Sequence, residues 1–160
     1  MDLQQAYLKI QHFCAYQERC EHEVREKLGK LTIFGNNADE IVMLLIEEDF
    51  LNENRFASLF ATNKLRLKKW GRNKIRQHLK QKKVHSSLIS NALDELDEEE
   101  YLQILNYLAI KKIELLLPRQ ADVWAVKQKT VRFLLQKGFE QNLIWQVIND
   151  YFATHESSTD

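Results

Sequence analysis

The feature that most narrows what this chain can fold into is an apolar pattern of helical spacing that recurs along it. In the middle of the sequence Ile75, Leu79, Val84, Leu88, Ile89 and Leu93 follow one another, and 55 residues later Thr130, Leu134, Phe139, Leu143, Ile144 and Ile148 repeat the arrangement. Five of the six pairs are apolar in both copies. Val24 and Leu28 precede Ile75 and Leu79 by 51 residues, and Ile41 and Leu45 precede Ile89 and Leu93 by 48. The shift of three predicts a longer loop in the first copy, marked by the turn-forming run Gly35-Asn36-Asn37. Self-similarity at about 50 residues is the mark of small helical bundles that bury part of their apolar face against the next bundle in the array.

Little in the chain would interrupt helices. It holds one proline and four glycines in 160 residues, and good helix formers dominate the rest. Apolar residues at spacings of three and four run through most of it, without sustained alternation. Breaks are predicted near 18–20, 32–37, 51–52, 70–71, 82–86, 96–97, Pro118 and Gly138, which gives about nine helices. The expected fold is therefore all-α: three tandem three-helix modules forming an elongated, curved array. Residues 1–51 would form the first module, 52–96 a basic second module and 97–155 the third, with 156–160 a disordered tail.

Charge balances overall, 23 bases against 23 acids, but it is poorly mixed. Residues 1–63 carry six bases and eleven acids, a sum of −5, whereas 64–83 hold ten Lys or Arg and no acid. On the helix expected from Gly71 to Gln81, Arg72, Arg76 and Lys80 recur every four residues beside the core positions Ile75 and Leu79. Like charges so spaced repel by a few tenths of a kcal/mol per pair, so alignment gains an isolated fold nothing, and a polyanionic partner accounts for it. The candidate partner surface comprises Lys64, Lys68, Lys69, Arg72, Lys74, Arg76, Lys80, Lys82 and Lys83. Two plainer roles compete: solvation of the module, and pairing with acids elsewhere in the chain. Core packing is the default for Trp70, for Phe56 and Phe60, and for Trp124 and Trp145.

Catalytic and metal-binding patterns are absent. The glycines are isolated and form no phosphate-binding loop; His22-Glu23 is followed by Glu26 where a zinc-hydrolase helix needs a second histidine. In His12-x-Cys14-x5-Cys20-x-His22, His12 and Cys14 stand two apart on one helix and point to opposite sides, against a zinc site. The acidic run Asp94 to Glu100 lacks the glycine of a calcium loop, and acids about Asp97 suit the start of the next helix. No apolar run approaches the roughly 20 residues of a membrane span, and the N-terminus lacks the pattern of a secretory signal. A cytoplasmic, non-enzymatic monomer without cofactor, with Cys14 and Cys20 as thiols, is expected.

Two stretches then carry a resemblance. Phe50-Leu51-Asn52-Glu53-x-Arg55-Phe56-Ala57, followed by Lys68-x-Trp70-Gly71-x-x-Lys74-Ile75-x-x-x-Leu79, resembles the signature of the RecX family of bacterial recombination regulators. Upstream, Arg19-Cys20-x-x-Glu23-Val24-x-x-Lys27-Leu28 is similar to the family's first module; downstream, Gln136-Lys137-Gly138-Phe139 with Ile144 is similar to its third. The resemblance covers roughly residues 5–150. Cys20 stands where the family usually has a helix-capping serine, which degrades a Ser-x-x-Glu capping box. Lys83 replaces a common glycine at a turn position expected to be left-handed. The resemblance implies three tandem three-helix repeats and a protein that binds the RecA recombinase filament on single-stranded DNA, restraining its ATP hydrolysis, strand exchange and coprotease activity. Direct binding of single- or double-stranded DNA, and a helical scaffold for another protein, are the alternatives.

Overall fold

A computed structural model describes the backbone of residues 1–157 and the side chains through His155. Among the described residues there are nine α-helices and no strand. In order they are α1 (Leu3–Tyr16), α2 (Glu21–Lys30), α3 (Gly35–Glu47), α4 (Glu53–Asn63), α5 (Arg72–Gln81), α6 (Ser86–Asp94), α7 (Glu98–Leu116), α8 (Val123–Gln136) and α9 (Gln141–Ser157). A π-helical turn, Lys64–Lys68, extends α4, and a 3-10 turn, Leu117–Arg119, follows α7 at Pro118. Residues 156 and 157, expected to begin the tail, end α9 instead, and the rest of that expected tail, 158–160, lies outside the described residues. Among the described residues no helix is long and apolar enough to cross a membrane.

Short polar side chains set the helix starts by accepting N–H groups that the first turn leaves unpaired. Asp2 accepts the Gln5 amide at 2.8 Å, Asn52 the Arg55 amide at 3.0 Å, and Asp122 the Trp124 amide at 3.0 Å. Asp97 holds the N-cap position of α7 without a side-chain bond to its amides, and Glu98, Glu99 and Glu100 in the first turn place negative charge at the positive end of the helix dipole. At Cys20 half of the capping box survives. Glu23 accepts the Cys20 amide at 3.1 Å, while the thiol points to the Lys82 carbonyl, 3.8 Å away.

The repeat is more regular than the sequence suggests. Gly35-Asn36-Asn37 forms the first turn of α3, not a longer loop, so four residues separate α2 from α3, α5 from α6 and α8 from α9 alike. The offset therefore stays at 51: Val24, Leu28, Ile33, Ala38 and Val42 match Ile75, Leu79, Val84, Ile89 and Leu93, and all ten are buried. The match of Ile41 and Leu45 to Ile89 and Leu93 is corrected accordingly. Ala38 hides the true register because its single methyl contributes little to an apolar pattern. In the third copy Thr130, Leu134, Phe139, Ile144 and Ile148 are each fully buried, and the Thr130 hydroxyl donates to the Val126 carbonyl at 2.8 Å.

Each of the three connections closes in the same way. Thr32 (φ 61°), Lys83 (φ 59°) and Gly138 (φ 99°) occupy the left-handed region at matching positions. The following amide bonds back to the carbonyl five residues earlier, Ile33 to Leu28 at 2.9 Å, Val84 to Leu79 at 3.2 Å and Phe139 to Leu134 at 3.1 Å. These are Schellman turns, which satisfy the last helical carbonyls and tuck an apolar residue under the helix end.

By backbone proximity the chain falls into two compact units: residues 1–60 with 78–95, and residues 61–77 with the chain from 96 onward. The borders fall inside α4 and α5, so the segment expected to form the second module contributes to both. In the first unit α1, α2 and α3 pack on one another. Their core is built from Ala6, Ile10, Cys14, Val24, Leu28, Ile33, Ala38, Ile41, Val42, Leu45 and Leu51. Burial pushes both Cys14 and Cys20 up to about 11, so the thiols stay protonated at neutral pH. In the same unit Arg55 pins the end of α3: it binds the Glu18 carboxylate, the Asp49 carboxylate at 3.1 Å and the Asp49 carbonyl at 3.0 Å, where Asp49 is left-handed. In the second unit α7, α8 and α9 pack pairwise.

Candidate partner-binding surface

Within the second unit the 137–140 turn meets the segment leading into α5. The Gly71 amide donates to the Lys137 carbonyl at 2.8 Å, and the Asn73 amide to the Gly138 carbonyl at 2.9 Å. Neither glycine could be anything larger. A Cβ on Gly71 would stand 2.4 Å from the Gly138 carbonyl carbon, and one on Gly138 would stand 2.4 Å from the Lys74 Cβ. This approach of two backbones puts two groups of charged side chains within a few residues of each other.

One group is consumed internally. The Arg72 side chain, only 16% exposed, pairs with Glu98 and, at 2.8 Å, with Glu140. Its guanidinium lies 3.8 Å over the Tyr101 ring, and its own amide donates to the Tyr101 hydroxyl at 3.0 Å. That hydroxyl donates to Glu140 in turn, and Tyr101 is fully buried beside Phe139. Burial, then the hydrogen bond to Glu140, holds the Tyr101 pKa well above the ordinary phenol value. Arg66 pairs likewise with Glu100. In the first unit Lys82 pairs with Glu23 at 3.2 Å. So the pairing with acids that the sequence left open does occur, at Arg72 and Lys82 of the nine candidate residues.

The other group faces outward. A widened turn at Lys64–Lys68 and a left-handed Lys69 (φ 55°) fold Trp70 back so that its amide reaches the Lys64 carbonyl at 3.1 Å. Single π-helical turns of this kind recur at functional sites. The Trp70 ring is half-buried between two ammonium groups, Lys64 Nζ at 4.9 Å and Lys74 Nζ at 4.6 Å from its centroid, within cation–π range. Lys69 Nζ lies 6.0 Å from the Tyr107 ring. Among the described residues Lys68, Lys69, Lys74, Arg76, Lys80 and Lys83 make no ion pair; Arg76 instead donates to the Asn73 side chain at 2.8 Å.

Lys137 joins this group, and sequence reading missed it. It lies in a different module, more than 50 residues from the dense basic run of 64–83. Its Nζ donates to the Lys68 carbonyl at 3.0 Å, and its pKa is held below the ordinary lysine value by burial and by the charges of Lys74, Lys69 and Lys68. A cluster that depresses the pKa of its own member is a site where an anion is favoured, since neutralising one charge relieves the others. The aromatic expectations divide. Phe56 is buried against the half-buried Phe60, their ring centroids 5.7 Å apart, whereas Trp124 is 58% exposed and stacked on Trp145 rather than packed in a core.

Comparison with known families decides what kind of chain carries this surface. Residues 52–93 match the model for the second three-helix domain of RecX, and residues 98–148 match that for the third. The chain belongs to the RecX family. A regulatory protein RecX from Oceanobacillus iheyensis is 29% identical over 160 residues, covering 99% of this chain and 57% of the relative. One from Clostridium botulinum is 31% identical over 132 residues, covering 82% of this chain and 61% of the relative. The chain thus spans about three-fifths of the length of these relatives. Among solved structures, RecX from Lactobacillus salivarius shares the fold with a TM-score of 0.84 and 23% identity, covering 92% of this chain and 95% of that one. The Arg55, Trp70 and Gly71 of the RecX signature now have physical roles: an end-of-helix clamp, a ring flanked by lysines, and a backbone approach.

Proposed function

We propose that this RecX-family chain is a non-enzymatic, cytoplasmic regulator that binds the RecA recombinase and its filament on single-stranded DNA, and restrains recombinase, ATPase and coprotease activity. The observation that carries the reading is the lysine cluster of the second unit, Lys68, Lys69, Lys74 and Lys137, with the Lys137 ammonium bonded to the Lys68 carbonyl, in a chain of this family. Such a surface suits a ligand lined by acidic side chains and phosphate. Three modules, 1–51, 52–96 and 97–155, acting as a monomer, would let one chain touch successive filament subunits, and a ligand that prefers one filament state shifts the assembly toward it. No chemistry of its own is needed.

The test is a titration of RecA, from the organism that supplies this chain, on single-stranded DNA. The purified chain should slow filament ATP hydrolysis at substoichiometric amounts; an unchanged rate at equimolar protein would sink the proposal.

The same cluster favours a second reading, direct binding of nucleic acid. Affinity would then fall steeply with salt. Lys69→Gln, Lys74→Gln and Arg76→Gln each remove a charge that would meet a phosphate, and each should lower the logarithmic salt slope by about one unit. These residues replace Arg72 in the test, because Arg72 is committed to Glu98 and Glu140.

A further inference from the structure

Away from the lysine cluster, the second unit presents an aromatic pair that core packing does not use. The Trp124 and Trp145 rings stack with centroids 5.9 Å apart and planes 20° from parallel. Trp145 is half-buried, whereas Trp124 is 58% exposed. An indole this open leaves much of its apolar surface in water, at a cost that a flat aromatic ligand would remove.

The helix that carries Trp124 narrows the choice of ligand. From Val123 to Phe139 the chain has Lys127, Lys129, Arg132 and Lys137 and no acid. Lys129 and Arg132 are exposed and make no ion pair among the described residues. On an α-helix, Trp124, Gln128 and Arg132 fall on one side at four-residue steps, so the cation stands about 12 Å along the axis from the indole. Asp122, at the near end, has its carboxylate turned onto the helix start, where it accepts the Trp124 amide at 3.0 Å. On α9, Gln141 and Asn149, one turn to either side of Trp145, are exposed and uncharged. An open aromatic face beside unpaired cations and amides matches a ligand with flat π-surfaces on an anionic backbone. An apolar peptide would find no use for the cations.

We infer that the Trp124–Trp145 pair is a stacking platform for a base of single-stranded nucleic acid, with Arg132 taking a phosphate further along the strand. Base stacking on an aromatic side chain is worth enough to see in a single substitution and does not depend on base identity. This goes beyond filament regulation and rests on the second reading, direct binding of nucleic acid, for which it names a base site apart from the lysine cluster. A protein that binds only the recombinase needs no such platform, so the two can fail separately.

The probe is a fluorescein-labelled dT15 strand, with a matching strand of abasic sites that keeps the phosphates and lacks the bases. Fluorescence anisotropy with the full chain should show tighter binding to dT15 than to the abasic strand. Trp124→Ala should weaken dT15 binding about fivefold or more and leave the abasic strand unchanged, while Trp124→Phe retains part of the preference. Trp124 is exposed, so the thermal midpoint should hold within a few degrees and report that folding is intact. Equal dT15 affinity for the parent and Trp124→Ala overturns the inference, as does a parent that binds both strands equally. A Trp124→Ala variant that keeps its dT15 affinity but no longer slows filament ATP hydrolysis also overturns it, by assigning the pair to a protein contact.

Discussion

Arg72 and Lys74 are two residues apart on one helix, carry the same charge and read alike in sequence, yet they belong to regions of opposite character. Arg72 enters a latch with Glu98, Glu140 and the buried Tyr101. Lys74 lies over Trp70 and adds its charge to Lys68, Lys69 and Lys137. A single turn supplies both: Lys137 goes to the cluster and Glu140, three residues on, to the latch. The contrast teaches that charge density along a chain does not measure charge available to a partner. Counter-charges brought in from 26 and 68 residues away neutralise one base and leave its neighbour without an ion pair.

The strongest way to break this contrast is Arg72→Ala, which leaves the Glu140 carboxylate without its counter-charge beside the buried Tyr101. Stability should fall by about 2–4 kcal/mol, discounted from a fully buried pair because Glu98 stays in solvent, as read by urea unfolding. A loss below about 0.5 kcal/mol would return Arg72 to the solvated bases. Next comes Gly138→Ala, which adds a Cβ at φ 99° against Lys74. A cost of roughly 1–3 kcal/mol is expected, together with weaker anion binding because Lys137 is displaced. The matching Thr32→Gly should instead be neutral or gain up to about 1 kcal/mol, because a β-branched residue there is strained at φ 61°.

Tyr101→Phe is a smaller change to the latch alone and should cost about 1 kcal/mol at neutral pH. It also has a pH signature. The folded Tyr101 pKa is raised, so above about pH 10 the unfolded phenol releases its proton while the native one keeps it, and stability falls as pH rises. The phenylalanine variant should lack that alkaline decline in its thermal midpoint. Smallest in stability are Lys69→Gln and Lys74→Gln, within about 0.5 kcal/mol of the parent, because neither gives up an ion pair. Their effect should appear in the salt dependence of anion binding instead. Equal stability losses at Arg72 and Lys74 would erase the distinction between latch and cluster.

The helices and most of their ends were legible in the amino-acid order because they rest on local rules: apolar spacing, the acid-rich helix start at Asp97, the break at 51–52 and the stop at Pro118. The repeat was legible too, but its first register was misread, since Ala38 and Val42 hold the places of Ile89 and Leu93 with less apolar bulk than Ile41 and Leu45 offer nearby. The left-handed turn at Lys83 was expected from the glycine that the resembling family commonly carries there, not from local spacing. The openness of Trp124 was not legible. An aromatic residue near the start of a helix reads the same whether its face meets a core or water.

Local chemistry in the chain was therefore enough to determine a helical repeat, its turns and a concentration of positive charge between residues 64 and 83. Tertiary structure alone decided which of those charges remain outward, because ion pairing depends on groups far apart in sequence reaching hydrogen-bond distance. It also recruited Lys137 to the cluster through a backbone approach that only Gly71 and Gly138 permit. Spacing along a helix fixes the side on which a base lies; what faces that side is set by the fold.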